Sequence, residues 1–356
     1  MPSQHANRAW CPILNEMRKP PQSAVSKADS ELALIERIRH RAGRLSGTGL
    51  RTGLSLGIGD DCALLRLKPG EEAAVTTDLS IEGRHFELNL HPPEAIGHRA
   101  LARGLSDLAA MGARPIAAFL SLAVPPELTR AKRETKSWID SFFDGLLNLA
   151  EQHKTPLAGG DLAQSPIAVA DIVLLGAVPR GRAMLRSGAR PGDLLYVTGA
   201  LGGSALGLRE LTNRRGNAAV WKSHLWPQPR IAQGLYLRRS RAASAAIDVS
   251  DGLSTDLHHL CEESGVSAEV DASLLPILPG ARIGDALHGG EDYELLFTAR
   301  PDVRLPRSIA GVPLTRVGVI TRYRAGKPRV VLIDDAGKKQ ALEQRGWEHF
   351  RNAKPE

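Results

Sequence analysis

Strand-length apolar runs alternate with helical stripes along this chain, and they do so in two successive rounds. That alternation restricts the fold more than any other feature of the sequence. From Ser30, apolar residues recur at helical spacing in ELALIERI (Leu32, Ile35, Ile38), again in PEAIGHRALARGLSDLAAMGA (Ile96, Ala100, Leu101, Leu105, Leu108), and in SWIDSFFDGLLNLAEQH. EEAAVTTD, RPIAAFLSLAV, PLAGGD and IAVADIVLLGAV read as strands between and after them. PRGRAMLRSGARPGD, rich in Gly, Pro and Arg, reads as a linker. A second set then begins, with LLYVTG, AAIDVSD and DYELLFTA as strands and GGSALGLREL and LSTDLHHLCEES as helices. The pattern predicts two α/β domains, 29–182 and 183–356, and 356 residues suffice for two cores. Residues 1–28, with prolines at 2, 12, 20 and 21 and no apolar period, are predicted to be a disordered extension without the apolar core of a secretory signal.

A net charge of +7 invites a nucleic-acid partner, but aromatic residues make up only 4%, too few for a base-stacking platform. Much of the arginine falls between the predicted elements, and the excess suits small acidic substrates at least as well. Cys11, Cys62 and Cys261 are far apart and form no CxxC pair, which argues against a disulfide framework or a cysteine zinc site and suits a reducing cytoplasm. No apolar run approaches the length of a membrane span.

The chemistry is carried by aspartates. LGIGDDCALL sets Asp60 and Asp61 in a glycine-flanked turn, and VTTD ends a predicted strand with Thr76, Thr77 and Asp78. GGD ends another with Asp161, and IDVSDG supplies Asp248, Ser250 and Asp251. Any one of these alone is an ordinary turn former or helix cap. Several after apolar strands point to a ligand, because strand ends are where α/β folds bind them. Asp107 lies inside a predicted helix, where aspartate is disfavoured, with Gly104 leaving room beside it. Oxygen donors without a His–Cys cluster suit Mg²⁺ rather than zinc, and Mg²⁺ among carboxylates suggests polyphosphate chemistry. The sequence contains no GxxxxGK[ST], HRD or DFG. TGALGGSALGL follows a strand and opens a helix, but Gly199, Gly202, Gly203 and Gly207 do not spell GxGxxG; helix packing and phosphate contact stay equally open there.

Eight ordered blocks, GIGDDCALL, TTDLSIEGRHF, LSDLAAMGARP, GGD, RSGARPGD, IDVSDGLSTDL, GGEDYELLFT and GWEHF, resemble the thiamine-monophosphate kinase family over about Glu31 to Phe350. That family is related to aminoimidazole ribonucleotide synthetase and selenophosphate synthetase. The resemblance implies a two-domain α/β (α+β) fold of the aminoimidazole ribonucleotide synthetase type and a homodimer joined through N-terminal-domain strands. It implies ATP-dependent phosphorylation of thiamine phosphate to thiamine diphosphate with several Mg²⁺ ions. By the same resemblance Asp61, Thr76, Thr77, Asp78, Asp107, Asp161, Asp248 and Asp251 are metal ligands, with Asp107 and Asp251 the most critical. Gly160, Asp161, Arg186 and Ser250 are ATP contacts, and His85, Glu291 and Trp347 form the thiamine-phosphate pocket. Thr76 stands where serine is common, and Leu162 where threonine is usual.

A phosphate oxygen is already ionised at neutral pH, so such a reaction needs positioning and charge neutralisation more than a base. From the residues alone, His85 also reads as a surface or capping histidine, Arg186 as a solvated linker charge, Glu291 as a turn carboxylate and Trp347 as a cap on the core. Asp256 reads as structural, and His258 and His259 as helix surface. A synthetase sharing the metal site and a non-catalytic thiamine-nucleotide sensor are the rival functions. The reactive Cys and Lys of a selenophosphate synthetase loop are not found in the sequence.

Overall fold

The computed structural model describes residues 31–46, 53–131 and 136–347; the extension predicted over 1–28 lies outside them. Helix α1 (Glu31–Ser46) precedes a short antiparallel pair, β1 (Leu54–Leu56) and β2 (Leu64–Leu65). Next come β3 (Glu71–Ile81), α2 (Pro93–Ala110), β4 (Arg114–Val124), α3 (Trp138–Gln152), β5 (Leu157–Gln164) and β6 (Val169–Pro179). Strands β3 to β6 form a four-stranded sheet in the order β3-β6-β4-β5, parallel only between β4 and β5.

The second half contains β7 (Leu194–Thr198), α4 (Gly203–Thr212), α5 (Ala218–Leu225), α6 (Ile231–Ser240), β8 (Ala245–Asp248), α7 (Leu253–Ser264), β9 (Val266–Asp271) and α8 (Ile283–His288). It closes with β10 (Leu295–Ala299), β11 (Ser308–Ile309), β12 (Val312–Arg322), β13 (Val330–Ile333) and β14 (Lys339–Ala341). These strands build an eight-stranded sheet, β14-β13-β9-β12-β7-β10-β8, with β11 on β12.

Helix α2 stands between the two sheets. Its stripe of Ile96, Leu101, Leu105 and Leu108 is buried against β3 to β6 and against Phe142, Phe143 and Leu146 of α3. Glycine makes the helix crossing possible. A Cβ at Gly97 would lie 1.9 Å from the Phe142 carbonyl oxygen, and one at Gly145 1.8 Å from that of Glu94. On its other side Ala109 meets the backbone of Gly234 in α6. The opposite face of the four-stranded sheet is covered in part by β1 and β2, and edge strand β3 leaves Val75 62% and Leu79 45% exposed there.

Three expectations change. Asp78 and Asp161 lie inside strands, because β3 stays paired with β6 to Ile81 and β5 stays paired with β4 to Gln164. DYELLFTA becomes strand only from Leu295, since Glu291 (φ 66°) and Tyr293 (φ 52°) occupy the left-handed region that no strand uses. His258 is buried rather than exposed: it lies one turn after fully buried Ser254 and its Nδ1 is 2.6 Å from that residue's carbonyl oxygen. His259 is half-buried.

Gly97→Ala is expected to force α2 and α3 apart at a cost of about 1–3 kcal/mol, several degrees of melting temperature. A melting temperature equal to that of the parent in thermal denaturation would show that the crossing does not depend on backbone contact.

Candidate active site

A cavity of about 610 Å³ opens between the two sheets, lined by Asp78, His85, Arg103, Asp107, Asp248, Ser250, Asp251, Glu291, Tyr293 and Trp347 among others. They come from several pieces of the fold. Asp78 projects from β3 on the side that faces α2, Asp107 from the last turn of α2, and Asp248 from the end of β8. Ser250 and Asp251 sit in the loop that opens α7. Trp347 arrives because the C-terminal segment folds back over that loop: its N–H donates to the Asp251 carbonyl (3.0 Å), and the Gly346 N–H to Thr255 Oγ1 (3.1 Å). At 49% exposed, Trp347 is not a cap on the core.

The carboxylates here are crowded and poorly supplied with donors. Thr76 Oγ1 donates to Asp107 Oδ2, and Ser106 Oγ donates to Asp248 Oδ2 at 2.6 Å. Asp78 has Arg103 at 3.6 Å, while its Oδ2 is buried without a hydrogen-bond partner among the described residues. Burial first, then the charge of Asp107, pushes Asp78 up to about 7 against the pull of Arg103. Burial and the charges of Asp107 and Asp78 push Asp248 to about 7 as well, against the Ser106 hydroxyl and Arg186. Burial also raises Asp107, opposed by Thr76, Arg186 and Arg103. Arg186 itself is an exposed residue of the segment joining the two sheets.

An orphaned carboxylate oxygen within a set of mutually repelling acids is what a cation would relieve, and the donors are all oxygen, as Mg²⁺ prefers. Among the described residues no three Asp, Glu, His or Cys side chains converge closely enough to enclose a metal by themselves. That suits Mg²⁺ also, which takes one or two carboxylates and fills its shell with water and phosphate oxygens.

The predicted ligands do not all meet. In the strand register Asp78 aligns with Ile172, Leu120 and Gly160 on the helix-facing side. Asp161 aligns with Ser121, Asp171 and Leu79 on the opposite side, which Thr77 shares. Thr76 and Thr77 point to opposite faces because strand side chains alternate. A second cavity, of about 860 Å³, is lined by Asp60, Asp61, Cys62, Gly159, Gly160 and Asp161 with Phe119, Phe143 and Ile38 behind them. Gly160 (φ 145°) has no room for a side chain, since a Cβ would lie 1.8 Å from the Leu120 carbonyl oxygen.

Three residues matter more than the sequence suggested. Asp256 Oδ2 accepts the N–H groups of Ser250, Asp251 and Gly252, each at 3.0 Å, and so shapes the loop that carries two site residues. Asp292 accepts from Gly202 N–H (2.6 Å) and Ser204 N–H (2.9 Å) at the start of α4. The glycine-rich TGALGGSALGL turn is therefore closed by the chain's own carboxylate, and of its two readings packing holds. Arg99 of α2 donates to both carboxylate oxygens of Glu291 (2.8 and 2.9 Å). An Asp three or four residues past an SDG turn is a capping signal; nothing local marks Asp292 or Arg99, whose partners are distant in sequence.

The N-terminal domain of AIR synthase related proteins matches residues 59–185, and the C-terminal domain of the same group matches 190–307. Thiamine-monophosphate kinase of Escherichia coli (strain K12) is 40% identical over 344 residues, covering 91% of this chain and 99% of the relative. The chain belongs to the thiamine-monophosphate kinase family. The Bacillus subtilis (strain 168) member is 36% identical over 84% of this chain and 94% of its own length. The crystal structure of thiamine-monophosphate kinase from Stenotrophomonas maltophilia K279a superposes with a TM-score of 0.72 at 38% identity, covering 87% of this chain and 97% of that one. AaThiL complexed with AMPPCP and TMP gives 0.68 at 30% identity, covering 92% and 100%. The two-domain fold is thus that of the thiamine-monophosphate kinase family.

Asp78 and Asp248 bind protons more tightly folded than unfolded. The stability this contributes is fully present below their unfolded pKa of 3.8 and is lost as the pH rises through about 7. In magnesium-free buffer at pH 8, Asp78→Asn is expected to raise the melting temperature by about 2–4 °C, and near pH 4 to leave it unchanged. A lower melting temperature at pH 8 would show that the acids do not repel one another.

Proposed function

We propose that this chain transfers the γ-phosphoryl group of ATP directly to the phosphate of thiamine monophosphate, giving ADP and thiamine diphosphate, the last step in making that coenzyme. One observation carries the reading. Asp78, Asp107, Asp248 and Asp251 line the same cavity as His85, Glu291 and Trp347, which supports a polyphosphate site adjoining an organic-cation site.

Magnesium, held by Asp78, Asp107, Asp248 and Asp251 with Thr76 behind Asp107, would neutralise the phosphates and stabilise charge moving to the leaving oxygen. The chain's own groups position the reactants. Ser250 offers a hydroxyl, and Arg103 and Arg186 offer positive charge near the acids. His85 Nδ1 accepts the Ile81 N–H at 3.0 Å, so the neutral ring carries its proton on Nε2 and can donate to an anion. Trp347 supplies a ring for the thiamine cation to stack on, and Glu291 an acceptor for the aminopyrimidine. The attacking phosphate needs no base.

The roles implied for Asp61, Thr77, Gly160 and Asp161 lie toward the second cavity and the sheet face away from α2. A homodimer laid across that face would cover Val75 and Leu79 and border Thr77 and Asp161, and we assign the dimer contact to it. A cytoplasmic location completes the proposal; Cys62 and Cys261 are both free thiols, as a reducing compartment permits.

Incubation with ATP, thiamine monophosphate and Mg²⁺ is expected to yield ADP and thiamine diphosphate in equal amounts. Asp107→Asn and Asp251→Asn should each lower turnover roughly 100-fold or more, because each removes a charged group from the polyphosphate site. Binding of both substrates without ADP release would identify a sensor instead.

A further inference from the structure

Arg99 sits behind the cavity rather than in it. Its side chain is 6% exposed, and a charge buried that deeply must be paired and hydrogen-bonded. One terminal nitrogen donates to both oxygens of Glu291 and to the His85 carbonyl oxygen (3.2 Å); the other donates to the His224 carbonyl oxygen (2.6 Å). A single guanidinium on α2 thereby ties together the turn carrying His85, the end of α5 and the segment carrying Glu291. All three segments line the cavity.

The arginines lining the cavity are Arg84 and Arg103, the latter one turn beyond Arg99 along α2. The histidines beside Arg99 do not share its role. Burial and the Arg99 charge hold His224 neutral, and the same causes push His91 down to about 4. Opposite Glu291, then, stands Arg99. Glu291 needs such a tie, because its left-handed backbone (φ 66°), fixed by its N–H on the Ser250 carbonyl (2.7 Å), is a conformation that a glutamate adopts at a cost.

The structure assigns Arg99 as a positioning residue that sets substrate specificity: its guanidinium fixes the Glu291 carboxylate in one orientation, leaving the remaining lone pairs for an amino group on the substrate ring. This rests on the proposed function and adds to it the group that decides which ring is accepted. A carboxylate offers about four acceptor positions. Two are taken by Arg99, and the rest suit an amine donor and repel a ring that presents a carbonyl oxygen there. An analogue with oxygen in place of the pyrimidine amine should therefore be refused.

The test compares Arg99→Gln, Arg99→Lys, Glu291→Gln and the Arg99→Gln/Glu291→Gln double variant with the unmodified enzyme. KM values for thiamine phosphate, its oxo analogue and ATP are measured alongside the melting temperature. Arg99→Gln is expected to raise the thiamine-phosphate KM about 10–100-fold, as loss of an orienting partner does elsewhere, with the ATP KM within about twofold. Selectivity against the oxo analogue should collapse, and Arg99→Lys should restore part of it. The double variant should be no worse than Glu291→Gln alone, because Arg99 acts through Glu291. Should Arg99→Gln fail to fold, Arg99→Lys and the double variant, which removes both buried charges together, carry the comparison. Additive effects, or equal rises in both KM values with a lowered melting temperature, would overturn the assignment while leaving the proposed function standing. Absence of thiamine diphosphate from the unmodified enzyme would overturn both.

Discussion

Like charges buried together in one cleft are the constraint on which the rest of this structure depends. Asp78, Asp107 and Asp248 come from β3, α2 and β8, three elements with no local reason to meet. They meet because α2 is clamped on both sides, by Gly97 and Gly145 against α3 and by Gly234 against Ala109. Backbone-to-backbone contact leaves the helix little room to shift. The acids are then placed by the rigid part of the fold, and their repulsion is a cost the packing offsets.

Donor count separates the acids that serve the fold from those proposed to hold the metal. Asp256 receives three backbone N–H groups and Asp292 receives two, so both are finished as internal caps. The Oδ2 atoms of Asp248 and Asp107 each accept from one hydroxyl, and the buried Oδ2 of Asp78 has no partner among the described residues. Burial raises Asp292 to about 7 despite its donors, so a perturbed acidity alone would not have told the two groups apart. Geometry does.

Much of this was legible in the sequence. The two rounds of strand and helix, the helical Asp107 and the IDVSDG turn all follow from apolar spacing and from residues in places they disfavour, and eight ordered blocks pointed to the family. Strand ends were not legible, because Asp78 and Asp161 interrupt an apolar pattern that the backbone pairing simply continues through. Nor was the division of Thr76 from Thr77: adjacency in sequence suggests a shared role, whereas a strand sends neighbours to opposite faces. His258 was read as surface because its apolar neighbours in α7 do not show that the fold-back of residues 345–347 covers Ser254 and Thr255, to which the backbone of Arg345 and Gly346 donates. Arg99 looked like one more arginine in a basic chain, since its partners lie at His224 and Glu291, well over a hundred residues away.

If these acids serve to bring two phosphates together, the chain itself never takes the phosphoryl group, and transfer occurs in one displacement. The stereochemical course at an isotopically chiral γ-phosphorus of ATP reports this directly. The account predicts inversion of configuration in the thiamine diphosphate formed. Retention would require two displacements through a phosphorylated side chain, and would contradict the assignment of the buried aspartates as charge-holding groups.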